Sequence, residues 1–134
     1  METRTIPAHD HARSQSVWTL PEELRQLAQD GGVDVVADVI AVFQEDSASR
    51  LQVLREAVRN NDAKAIRAEG HALKGSSSQL GAAEMARMCF QMEQMGHSGN
   101  IADAAGLLAQ IEQHFAELNQ AMSNVNWGDG SYGG

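Results

Sequence analysis

Apolar residues return every three or four positions in four long stretches of this chain, the period of a helix with one buried face. The first stretch runs from about Asp34 to Arg59 and lines up Val36, Ile40, Phe43, Ser47, Leu51, Leu54 and Val58. The second, Asp62 to Leu80, carries Ile66, Gly70, Leu73, Ser77 and Leu80, with Asp62 as N-cap and Gly81 where a left-handed C-terminal residue is wanted. The third spans about Ala83 to Met95, with Met85, Met88, Cys89, Met92 and Met95 along one side. The fourth is predicted to start with Asn100 as cap and Asp103 three residues on, and continues through Ile101, Ala104, Leu108, Ile111, Phe115, Leu118 and Met122. Ahead of them a short helix is predicted. Thr19-Leu20-Pro21-Glu22 has capping-box spacing, Leu20, Leu24 and Leu27 make an apolar side, and Gly31-Gly32 is expected to stop it.

The links between these stretches are short: Asn60-Asn61, the turn at Gly81, and His97-Ser98-Gly99. Short links force antiparallel neighbours. Strand signals are absent, with aromatic residues at only 4% and the β-branched residues inside helical patterns. The predicted fold class is therefore all-α: an up-down-up-down antiparallel four-helix bundle with a short additional N-terminal helix, over residues 18–124. Residues 1–17 are polar and aperiodic and read as a flexible tail, and the Gly-rich residues 125–134 read as a disordered one, with Trp127 able to fold back on the bundle. His9 and His11 flank Asp10 in the first tail, but two imidazoles without a third ordered ligand make a weak metal site. The methionine stripe of the third stretch suits a core face and, alternatively, a promiscuous binding surface.

Charge and cysteine content narrow the function classes. A formal net charge of −8 over 134 residues argues against a nucleic-acid-binding surface. Cys89 is the single cysteine, so an internal disulfide is excluded. No run has the length of a membrane span and no secretory h-region follows the polar N-terminus, so a cytoplasmic protein is expected. Phosphate loops that follow a strand, Glu-x-x-His di-metal pairs and an assignable catalytic triad are all missing, which removes the common enzyme readings, and no functional metal site is expected.

The second helix holds what remains. At about 100° per residue, His71 falls roughly 140° from the centre of its buried seam and points outward. Arg67, Lys74, Gly75 and Ser78 neighbour it at helical spacings, and Lys64 extends the basic face, with Glu69 the only acid between Asp62 and Leu80. Gly75 is costly for a helix interior, by about 1 kcal/mol relative to Ala, and clears bulk one turn from the imidazole. Gly70 lies on the seam and suits close helix packing. An exposed neutral imidazole with basic neighbours can act as a nucleophile toward a phosphoryl group, and an ordinary surface histidine looks the same by spacing alone.

The stretch His71-Ala72-Leu73-Lys74-Gly75-Ser76-Ser77-Ser78-Gln79-Leu80-Gly81-Ala82 resembles the signature of histidine-containing phosphotransfer domains, His-x-Leu-Lys-Gly-Ser-Ser followed by Leu-Gly-Ala. The family's helical arrangement fits from about Leu20 to Asn124. The resemblance implies that His71 accepts a phosphoryl group from a receiver-domain aspartate and passes it to another receiver. It implies too that Lys74 supports that group and Gly75 admits the receiver, with Arg67, Ser78 and Lys64 around them for partner binding. It implies a monomeric phosphocarrier without cofactor or nucleotide site, Mg²⁺ being supplied on the receivers of hybrid histidine kinases and response regulators. Some family members orient the histidine with a Gln on the following helix; here Glu93 stands there, between Gln91 and Gln94, which leaves the orienting hydrogen bond unassigned and Glu93 readable as a solvated helix acid. The alternatives are an unphosphorylated helical adaptor and a kinase phosphoacceptor domain served by a separate ATPase.

Overall fold

The computed structural model describes residues 17–125, and among them the only regular structure is helical. Helix α1 covers Glu22–Leu27, a π-helical turn covers Ala28–Gly32, and α2 covers Val33–Arg59. Helices α3 (Ala63–Gln79), α4 (Ala83–Ser98) and α5 (Ala104–Ser123) complete the antiparallel bundle. The predicted tails, the His9–His11 pair and Trp127 fall on residues outside the described ones or at their margin. Val17 and Val125, placed in the tails by sequence, pack partly buried against the core.

The predicted stripes are the core. Val36, Ile40, Phe43, Ser47, Leu51 and Leu54 of α2 are buried, as are Ile66, Gly70, Leu73 and Ser77 of α3 and Leu80 after it. Met85, Met88, Cys89 and Met92 are likewise buried in α4, so the methionine stripe is core and not a free surface. On α5 the buried side is Ala104, Leu107, Leu108, Ile111, Phe115, Leu118 and Met122, and Phe115 meets Phe43 of α2 edge-on with ring centroids 6.4 Å apart.

Four helix ends differ from expectation. Gly31-Gly32 does not end a separate helix: Gly31 takes φ 98° and the chain kinks there, so α1 runs into α2 through the π turn. Glycine tolerates this left-handed step, and α2 follows directly after it, so the two helices are joined at a kink with no intervening loop. The capping box at Thr19 is absent, because the N-cap is Pro21 with no side-chain cap; of the three leucines assigned to this element, Leu20 precedes it in the core and Leu27 is exposed. Helix α4 continues through His97 and Ser98 to a left-handed Gly99, and α5 starts after Asp103 and not at Asn100, whose N–H instead donates to the Ser98 hydroxyl. The other termini match. Asp62 accepts the Ala65 N–H at 3.1 Å, and Gly81 has φ 72°. Trp18 closes the Gly81 end of the bundle: its indole is buried and donates to the Leu80 carbonyl at 2.7 Å.

The closest helix pair is the one that builds the site. A Cβ at Gly70 would stand 2.7 Å from the backbone N of Glu93 and 3.0 Å from the Cys89 carbonyl, and one at Gly96 would stand 2.7 Å from the Ala63 carbonyl. Two glycines, one on each helix, thus let α3 and α4 meet backbone to backbone.

Candidate functional site

Because Gly70 touches the Glu93 backbone, the next residue along α3 projects beside the Glu93 side chain. That residue is His71. Its ring is 69% exposed, and Nδ1 lies 3.0 Å from Glu93 Oε2. One turn on, the Lys74 ammonium sits 2.9 Å from the other carboxylate oxygen, as an ion pair without well-angled hydrogen-bond geometry. The same ammonium lies 5.0 Å from the centre of the Phe90 ring, which is itself half exposed on α4. Glu93 is only 15% exposed. The Lys74 ammonium first, and then the His71 ring, hold its carboxyl below the ordinary carboxylate range against the opposing effect of burial. The contact is therefore present above the ordinary carboxylate range and is lost as pH falls through the depressed value.

An ionised carboxylate only accepts hydrogen bonds. Its partner at 3.0 Å must then bring the proton, which places hydrogen on Nδ1 and leaves the Nε2 lone pair facing solvent. This is the arrangement by which a buried acid fixes a histidine tautomer in hydrolase triads. The sequence left the orienting hydrogen bond unassigned and Glu93 readable as a solvated acid; its contacts make it the group that holds the ring, while Gln91 and Gln94 are exposed. The signal in the sequence was Gly70: a seam glycine marks where the neighbouring helix comes close.

The remaining predicted residues surround this triad in two tiers. Gly75 is exposed, and a Cβ there would meet nothing within 4 Å, so the approach past His71 is open. Arg67 lies exposed one turn before the ring, with no ion pair among the described residues. Lys64 and Ser78 are also exposed, but seven residues from His71 in either direction, about 10 Å along the axis. They belong to the rim. Glu69, the one acid of the α3 sequence, is turned toward α2, where Arg50 holds it at 3.1 Å, so it does not neutralise the face.

Two other reactive groups stand apart. Cys89 is fully buried, and burial pushes its thiol pKa up to about 12, so it is no nucleophile. His114 is largely covered on α5, 3.9 Å from Glu117. Among the described residues, no group of three or more His, Cys, Asp or Glu side chains is placed to hold a metal ion, and no helix is long and apolar enough to cross a membrane.

Comparison with known proteins points the same way as this geometry. The family model for the Hpt domain matches residues 38–121, from within α2 to within α5. Histidine-containing phosphotransfer proteins 2 and 5 of Arabidopsis thaliana are 26% and 27% identical over 106 residues, covering 77% of this chain and 68% of each plant protein. The crystal structure of histidine-containing phosphotransfer protein B from Pseudomonas aeruginosa PAO1 superposes with a TM-score of 0.70 at 30% identity, over 78% of this chain and 91% of that one.

Proposed function

The chain belongs to the Hpt domain family, and from that premise we propose that His71 is the residue through which it carries phosphoryl groups in a phosphorelay. The observation that carries the assignment is the Glu93 contact at 3.0 Å, which takes up Nδ1 and leaves Nε2 unencumbered on a 69% exposed ring. The phosphoryl donor is a receiver-domain aspartyl phosphate, and the acceptor is the aspartate of a second receiver. The protein works as a monomeric cytoplasmic carrier with no cofactor of its own, the Mg²⁺ of each transfer residing on the receiver.

The neighbours supply charge and space. Phosphoryl transfer needs positioning and charge stabilisation more than covalent help from surrounding groups. Lys74, tethered to Glu93, keeps an ammonium within one turn of the ring. Arg67 adds a second cation, and the Lys64–Ser78 rim extends the face that a receiver covers. Gly75 leaves the attacking side clear. Incubation with a phosphorylated receiver should yield an acid-labile, base-stable phosphate on the peptide that contains His71. A label on any other residue would refute the assignment, and receiver binding without label would favour the adaptor.

Gly75→Gln separates access from folding. A Cβ at this position meets no neighbouring atom and glutamine improves helix propensity, so stability should hold or rise by up to about 1 kcal/mol. Transfer should fall by at least about tenfold, since the side chain occupies the approach to Nε2 and misplacing the reacting groups by a fraction of their contact distance is that costly. Transfer rates measured beside a thermal melt decide it: an unchanged rate removes the steric role.

A further inference from the structure

We infer that Glu93 keeps the Nδ1 proton on the His71 ring through both uptake and release, so that the phosphorylated ring stays a cation poised to transfer. The inference rests on His71 being the phosphoacceptor, and it concerns what a carboxylate does there that a neutral amide does not.

The electron balance states the need. In uptake, the Nε2 lone pair forms the N–P bond while the bond from phosphorus to the aspartyl oxygen breaks, its electron pair returning to the receiver's carboxylate. The ring enters neutral with its proton on Nδ1, so the phosphorylated ring carries one positive charge. In release, the N–P electron pair goes back to Nε2 as the next receiver's aspartate oxygen bonds phosphorus. If Nδ1 still carries its proton, the leaving group is neutral imidazole. If that proton has been lost, the leaving group is imidazolate, a much stronger base and a far poorer leaving group.

The site's geometry selects the first course. Glu93 Oε2 stands 3.0 Å from Nδ1, and Lys74, 2.9 Å from Oε1, keeps the carboxylate charged. A carboxylate has no hydrogen to give, so a bare Nδ1 would face it lone pair to lone pair. Losing the proton therefore costs the phosphorylated ring its only side-chain partner among the described residues. An amide in the same place could turn over and donate to the bare nitrogen, satisfying either state. The other charged or titratable groups around the ring are Lys74, Arg67 and Lys64 on α3 and His97 one turn beyond Glu93 on α4, while the Arg50–Glu69 pair from α2 is turned away. Of these, only Glu93 touches the ring, and all but Lys74 are well exposed or turned aside.

The test compares wild type with the isosteric Glu93→Gln, each phosphorylated by the same receiver. Release to a second receiver is followed between about pH 6 and pH 8.5, and the variant's rate is divided by that of wild type to remove the receiver's own titration. The ratio should fall by about tenfold per pH unit on the alkaline side, as the ring proton is lost from the variant alone. The corresponding ratio for uptake should show no such slope. In ¹⁵N-edited NMR at about pH 8, the phosphorylated wild-type ring should retain a proton on Nδ1 and the variant ring should not. A release ratio that stays level with pH would reduce Glu93 to a positioning group. A bare Nδ1 in phosphorylated wild type overturns the inference outright, whatever the stability of the variant. Absence of phosphate from His71 is a different result, and it refutes the phosphoacceptor assignment itself.

Discussion

His71→Gln is expected to take up no measurable phosphoryl group, at least about a thousandfold below wild type, while its melting behaviour stays within about 0.5 kcal/mol of wild type. The two halves of this expectation rest on different facts. The ring is 69% exposed and lies outside the buried seam, so the core keeps every contact it had. Glu93 retains Lys74 as its counter-ion, so no isolated charge is left behind. Glutamine fills much the same space and can still donate to Glu93, but its amide has no lone pair able to attack phosphorus at neutral pH. Label transfer from a phosphorylated receiver, with a thermal melt alongside, measures both halves. Receiver binding is informative too. The carrier and the adaptor both require it, but only the adaptor keeps its signalling output without the imidazole. Full output from this variant would overturn the assignment.

The bundle was legible in the sequence because burial imposes one period on four long segments, and most residues that recur at that period are the ones found buried; Val58, Met95 and Ile101 are half-buried at the stripe ends, with Ala57 buried in place of Val58. Helix ends were less legible where glycine or a capping pattern had two uses. Gly31 can stop a helix or bend one, and only packing decides between them; here α1 is joined to α2, with Trp18, Leu20 and Ala28 held in the core before the bend and Val36 after it. Asn100 has a capping side chain, but the turn through Ile101–Asp103 delays α5. Within the site, His71, Lys74 and Gly75 share one helix, so their neighbourhood follows from spacing alone. Glu93 is on another helix, and its role depended on how close α4 comes to α3 and at what register. Sequence contains that information only indirectly, through Gly70 and Gly96.

Gly70→Ala tests that dependence, and its expected effect is opposite in sign to a substitution at Gly75 five residues along the same helix. Both replacements improve helix propensity by about 1 kcal/mol. At Gly75 that gain stands, because a Cβ there meets nothing. At Gly70 the new methyl would lie 2.7 Å from the Glu93 N and 3.0 Å from the Cys89 carbonyl, which are backbone atoms of a packed helix and cannot rotate aside. Overpacking of a tight core contact costs about 1–3 kcal/mol, and immovable neighbours put this site at the upper end. The net expectation is a loss of about 2 kcal/mol, or roughly 5–10 °C in melting temperature for a domain of this size. The helices relieve the clash by moving apart, and the 3.0 Å contact between His71 and Glu93 spans that same gap. Transfer should therefore fall even at temperatures where the variant is fully folded, with no change to any residue that touches the phosphoryl group. Thermal melts of the two alanine variants, with transfer rates taken well below both transitions, provide the measurement. If Gly70→Ala were as stable and as active as Gly75→Ala, the backbone contact would not be what holds Glu93 on the ring.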